Sequence, residues 1–171
     1  MNANDEIIEG KIDDLYMVFI INGQKYALSS NYIIEIIEVL PITKVPFLPE
    51  YMKGIINLRS NIIPVMDARM RFDIEPIDYN ERTCIIIIEN GMEKIGLIVD
   101  AVNEVITILP NQIMKMNSSK EDYKQNFIKG VSEINDDVQM ILDCDSLVKI
   151  IEDINDGTNQ SRFFTTKKLY V

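Results

Sequence analysis

Duplicated segments must build duplicated substructures, and this chain carries a repeat at fixed offset. Tyr26-Ala27-Leu28 precedes Glu35-Ile36 by the same interval at which Ile95-Gly96-Leu97 precedes Glu104-Val105, and each segment follows an Asn-Gly hairpin signal, Asn22-Gly23 or Asn90-Gly91. Lys53-Gly54-Ile55 recurs as Lys129-Gly130-Val131, and in both copies an aspartate, Asp67 or Asp143, closes an apolar run thirteen residues after the glycine. The intervening segments are short runs of Ile and Val bounded by turn residues, so each half reads as about five strands in one order. Chance recurrence in an Ile-rich chain is the alternative, and the shared offsets favour duplication. Five short strands expose unpaired edges unless they curl closed. The expected fold is therefore mainly β, with two small barrels sharing a buried seam, the first over about 15–75 and the second over about 80–152. The join falls near Asp73 to Glu81, a polar stretch containing Pro76.

Helical periodicity is scarce. Leu147, Ile150 and Ile151 follow the candidate N-caps Asp145 and Ser146 at i, i+3, i+4 spacing, which predicts one short C-terminal helix, and Asp67 to Phe72 predicts a helical turn. Residues 1–14 carry Asp5, Glu6, Glu9, Asp13 and Asp14 with little to fix them to a core, so a mobile acidic lead-in is expected. No basic segment followed by an apolar stretch opens the sequence and no run of 18 apolar residues occurs, which predicts a cytoplasmic protein without membrane insertion.

Charge and composition remove whole classes of function. Lys and Arg number 17 against 27 Asp and Glu, a net charge of −10 that repels nucleic acid and anionic lipid. There is no histidine, which excludes imidazole-based catalysis and His-ligated zinc. Cys84 and Cys144 form no CxxC motif and read as buried free thiols, and no Gly-rich phosphate loop is present. The stretch Asp153 to Gly157 departs from a calcium loop in the place of its glycine and in lacking the closing glutamate, so it reads as a helix stop and turn. No metal or cofactor is expected. The alternative from another functional class is a small carboxylate-dependent hydrolase using Asp136, Asp137, Asp143 or Asp145, whose simpler reading is a hairpin turn and a helix N-terminus.

The most unusual segment is YMKGIINLRSNIIPVMDARMRF, residues 51–72, in which Asn57, Arg59 and Asn61 interrupt two apolar runs. A partly buried guanidinium there needs a carboxylate. Glu35, set in the apolar run Ile33 to Ile37, is the expected partner through a bidentate bridge. The second half has Ile134-Asn135-Asp136 at the corresponding place and lacks the arginine.

These blocks resemble a known family. KGIINLRSNIIPVMDARMRF is similar to the pattern KGxxNLRGxxxPVxDLRxxF, and GLIVDAVNEV to GxxVDxVxxV, of the bacterial chemotaxis adaptor CheW. The resemblance runs from about Tyr16 to Ile151, giving a CheW-like domain over 15–152 and a tail over 153–171. It implies two five-stranded SH3-like β-barrels around a shared hydrophobic core. It also implies a stand-alone, non-catalytic adaptor that binds the chemoreceptor's cytoplasmic helical hairpin tip and the regulatory domain of the histidine kinase CheA, recruited to receptor arrays at the inner face of the membrane. The family's partner-binding positions fall on Ile33, Glu35, Gly54, Arg59, Val102 and Val105; for Ile33, Val102 and Val105, core packing is the other reading. Ser60 departs from the family's glycine, so the turn after Arg59 either avoids positive φ or is strained. SRFFTTKKLYV extends past the pattern and is expected to be disordered or packed on the chain itself.

Overall fold

The computed structural model describes residues 14–116 and 127–147. The expected lead-in, the C-terminal tail and the helical positions Ile150 and Ile151 lie outside them. Among the described residues eleven strands form in the order β1 (Leu15–Ile21), β2 (Gln24–Ser29), β3 (Ile33–Glu38), β4 (Met52–Leu58), β5 (Asn61–Asp67), β6 (Cys84–Asn90), β7 (Glu93–Val99), β8 (Ala101–Thr107), β9 (Ile113–Lys115), β10 (Ile128–Ile134) and β11 (Asp137–Leu142), with a one-turn helix, α1 (Ala68–Arg71), after β5. The mainly β architecture with two small sheets is as expected. One sheet has six strands, β8-β1-β2-β11-β10-β9, and the other has five, β3-β6-β7-β5-β4; as ladders both are open.

The repeat is visible strand by strand, but its halves are not the sheets. Each sheet takes its opening hairpin from one half and its remaining strands from the other: β1 and β2 join β8–β11, while β6 and β7 join β3–β5. The division into one barrel over about 15–75 and another over about 80–152 is corrected accordingly. The exchange is sealed by two equivalent parallel junctions, β2 with β11 and β5 with β7. A 3₁₀ turn at Ser30–Tyr32 carries the chain from β2 in one sheet to β3 in the other. An offset repeat cannot reveal this, since a hairpin presents the same alternation whichever copy it pairs with.

The exchange explains the burial pattern. In the run Ile85 to Ile88, Ile86 and Ile88 enter the seam with Phe19, Ile21, Tyr26 and Leu28 of the opposite sheet, whereas Ile85 and Ile87 point the other way to Ile56, Ile63, Val65 and Ile98. A strand covered on both faces reads as a continuous apolar run. Tyr16, Val18, Ala27, Ile108 and Ile141 make the corresponding cluster of the six-stranded sheet. Each such isoleucine contributes about 2 kcal/mol by burial.

Gly54 and Gly130 sit at matching bulges in β4 and β10. A Cβ on Gly54, whose φ is +139°, would lie 2.0 Å from the Thr43 carbonyl oxygen, because Thr43 exchanges two backbone hydrogen bonds with Ile55. Asp67 caps α1 by accepting from the Met70 N–H, and Asp143 caps the helix beginning at Cys144 by accepting from the Asp145 N–H. The second helix thus starts ahead of the expected caps Asp145 and Ser146, and Leu147 is buried in the seam. Among the described residues no helix is long and apolar enough to cross a membrane.

Candidate functional site

The β4–β5 hairpin closes through Leu58 opposite Asn61, leaving Arg59 and Ser60 as a two-residue turn with φ of 49° and 70°. Two left-handed residues match the strand twist of a type I′ turn, a conformation that favours Asn-Gly. Ser60 therefore adopts positive φ and bears the strain, of about 1 kcal/mol, that the family's glycine would avoid. The Asn57 side-chain carbonyl accepts from the Ser60 N–H at 3.0 Å and braces the turn.

Arg59 is held by Glu35, as expected: its Nη2 donates to Glu35 Oε1. The contact runs through one nitrogen and one oxygen instead of fork to fork, and the arginine side chain is 69% exposed against 27% for the glutamate. It is thus a surface bridge, worth well under about 1 kcal/mol in stability. Glu35 lies just past a bulge in β3, where the register with β6 shifts between Ile33 and Glu35. A bulge re-aims the side chains that follow it. Ile33 is half-buried against the seam, while its neighbours Ile34 and Ile36 are 44% and 39% exposed. The sequence singles out Ile33, but in the alternation along β3 it is Ile34 and Ile36 that are exposed.

The second half carries the same construction. The β1–β8 register shifts between Val18 and Phe19, opposite Glu104 and Val102, so β8 is bulged at the place equivalent to β3. Val102 is half-buried against the seam like Ile33, and Val105 is 50% exposed like Ile36. Gly54 is set apart from these surface residues: its visible role is to admit the Thr43 backbone.

A stronger pair escaped the sequence reading. Arg69 grips Asp100 bidentately, Nε to Oδ1 at 2.8 Å and Nη2 to Oδ2 at 2.7 Å, with side chains only 12% and 20% exposed. Asp100 also accepts from the Asn22 N–H at 2.7 Å, and Arg69 Nη1 donates to the Glu75 carbonyl at 2.9 Å. Burial would raise the Asp100 pKa, but the Arg69 hydrogen bond, the Asn22 N–H and the guanidinium charge outweigh it and hold the carboxyl below its ordinary value. A partial signal was present: Arg69 is one of the five charged residues of the first motif block and Asp100 one of the two in the second.

The carboxylates of the hydrolase alternative are engaged in structure. Asp136 occupies the β10–β11 turn at φ 65°, Asp137 pairs with Lys25 at 2.6 Å, Asp143 caps a helix, and Asp145 accepts from Asn90 Nδ2 at 2.6 Å. That alternative is not supported. Among the described residues no group of three metal-ligating side chains converges. Burial, followed by the charges of Asp145 and Asp143, pushes the Cys144 thiol up to about 12, and burial raises that of Cys84, which disfavours the nucleophilic thiolate in both.

The family model described as the CheW-like domain matches residues 15–152. The chemotaxis protein CheW of Thermotoga maritima is 33% identical over 136 residues, covering 80% of this chain and 86% of that protein. CheW of Bacillus subtilis is 36% identical over 105 residues, covering 61% and 67%. The crystal structure of the scaffolding protein TtCheW from Thermoanaerobacter tengcongensis superposes with a TM-score of 0.70 at 36% identity, covering 77% of this chain and 89% of that one. With both motif blocks folded against each other through Arg69 and Asp100, and the match spanning both sheets, the chain belongs to the CheW family.

Proposed function

We propose that this protein is a non-catalytic chemotaxis adaptor that couples methyl-accepting chemoreceptors to the histidine kinase CheA. The observation that carries the reading is the Arg59 turn: a motif arginine held at the surface by Glu35, on a strand that also exposes Ile34 and Ile36. Such a surface suits a helical hairpin, which offers an apolar stripe with polar flanks. The receptor tip is assigned to this face, with Glu35 and Arg59 fixing its shape. Val102 and Val105, on the bulged β8, are assigned to partner binding as well. Binding of receptor and kinase at once places the protein in cytoplasmic arrays at the membrane's inner face, with no turnover of its own.

The test is binding of a receptor cytoplasmic fragment to Ile36→Asp and Ile33→Asp variants. Ile36→Asp is expected to lose receptor binding with little change in melting temperature, whereas Ile33→Asp loses stability because it enters the seam. Receptor binding that survives Ile36→Asp and Arg59→Gln together would remove the receptor from this face.

A further inference from the structure

We infer that Met114 and Met116, at the β9 edge of the six-stranded sheet, form a peroxide-reactive modification site: hydrogen peroxide converts both to sulfoxides on the folded chain, and sulfoxide reductases reverse the change. The inference does not depend on the adaptor reading.

β9 is the outermost strand of its sheet and pairs with β10 through Ile113, Met114 and Lys115. The Met116 N–H prolongs the ladder by donating to the Lys129 carbonyl at 3.3 Å, and a Cβ on Gly130 would lie 2.7 Å from the Met114 carbonyl oxygen. Met114 thus packs its backbone over Gly130 as Thr43 does over Gly54 in the first copy. This seated backbone presents the Met114 side chain outward, 67% exposed, with Met116 two residues on at 49%. The contrast within the chain is steep: Met52 and Met66 are 6% and 0% exposed in the seam, and Met17, Met70 and Met140 are half-buried. Met92 is exposed too, in the β6–β7 turn.

Methionine commonly fills gaps in a core, where oxidants do not reach it. At these two positions the thioether is open to solvent, and its reaction requires no ionisation. A sulfur lone pair attacks one peroxide oxygen, the O–O bond breaks, and the displaced hydroxide takes up the proton of the newly bound oxygen and leaves as water. Sulfur gives up two electrons and the peroxide receives them. The thiols are poorer targets for the same oxidant, because they react as thiolates and burial raises the pKa of both Cys84 and Cys144. Each sulfoxide replaces a flexible apolar side chain by a polar, chiral one. Neither Met114 nor Met116 belongs to a core cluster, so the change stays on the surface. The β9 edge becomes polar under peroxide while the fold persists, and both sulfoxides remain within reach of the reductases.

The experiment treats the full chain with hydrogen peroxide, folded and in denaturant, and follows each methionine by peptide mass spectrometry. On the folded chain Met114 and Met116 are expected to gain oxygen about tenfold faster than Met52 and Met66, and in denaturant the rates should converge. The oxidised chain should keep its melting temperature, and treatment with both epimer-specific sulfoxide reductases should return the two residues to methionine. Equal rates for these four methionines on the folded chain overturn the inference, as does a preference that persists in denaturant, which would assign it to local sequence instead of the fold. A melting temperature that falls as Met114 and Met116 oxidise, or sulfoxides that the reductases leave in place, overturns it too.

Discussion

Arg69 and Asp100 form a bidentate pair across the two halves of the sequence, joining the helical turn after β5 to the junction between β7 and β8. Asn22, in the β1–β2 turn, donates to the same carboxylate, so one aspartate gathers three separate segments. Because the pair is largely buried, removing one partner strands a charge. Arg69→Ala and Asp100→Ala are each expected to lose about 3 kcal/mol in denaturant unfolding, and Arg69→Lys to recover little, since an ammonium cannot form the fork. A loss below about 0.5 kcal/mol for Arg69→Ala would show that the pair does not hold the sheets together.

The same pair sets an acid response. The folded pKa of Asp100 lies below the ordinary value, so the unfolded chain binds this proton more readily. Its contribution is fully present above the unfolded value, near pH 4, and is lost as pH falls through the depressed folded value. Stability measured from about pH 6 down to about pH 2 should fall more steeply for the natural chain than for Asp100→Asn. Parallel curves would contradict it.

For Glu35 and Arg59 the exposure decides between stability and recognition. A double-mutant cycle with Glu35→Gln and Arg59→Gln is expected to give a coupling well under about 1 kcal/mol in unfolding, together with clear loss of receptor binding. Coupling of about 3 kcal/mol would mean that the bridge is buried in solution and structural in role.

The turn and strand glycine positions act in opposite directions. Ser60→Gly relieves a residue at φ 70° and should stabilise the fold by about 0.5–1 kcal/mol. Gly54→Ala should cost on the order of 3 kcal/mol, because its Cβ would collide with the Thr43 carbonyl. Thermal melts of the two variants check both signs.

What the sequence displays well is periodic. The Asn22-Gly23 turn, the Gly54 and Gly130 repeat and the capping aspartates Asp67 and Asp143 each depend on local backbone chemistry, and the structure realises all of them. Glu35 and Arg59 could be paired because each interrupts an apolar run. The exchange of hairpins was hidden, because pairing partners distant in sequence leave no trace in alternation. Arg69 was hidden by its setting in the polar stretch Asp67 to Arg71, where its burial against Asp100 depends on tertiary packing. The exposure of Ile36 over Ile33 depends on how far the seam packing reaches along β3, which composition cannot show.

The most direct measurement is co-sedimentation of CheA with receptor-containing membranes, with and without this protein. The account predicts that the kinase pellets efficiently only when the protein is added, and that Arg59→Gln reduces the pelleted kinase while remaining folded. Kinase that pellets equally in its absence, or a protein that stays in the supernatant with both partners present, would contradict the adaptor account.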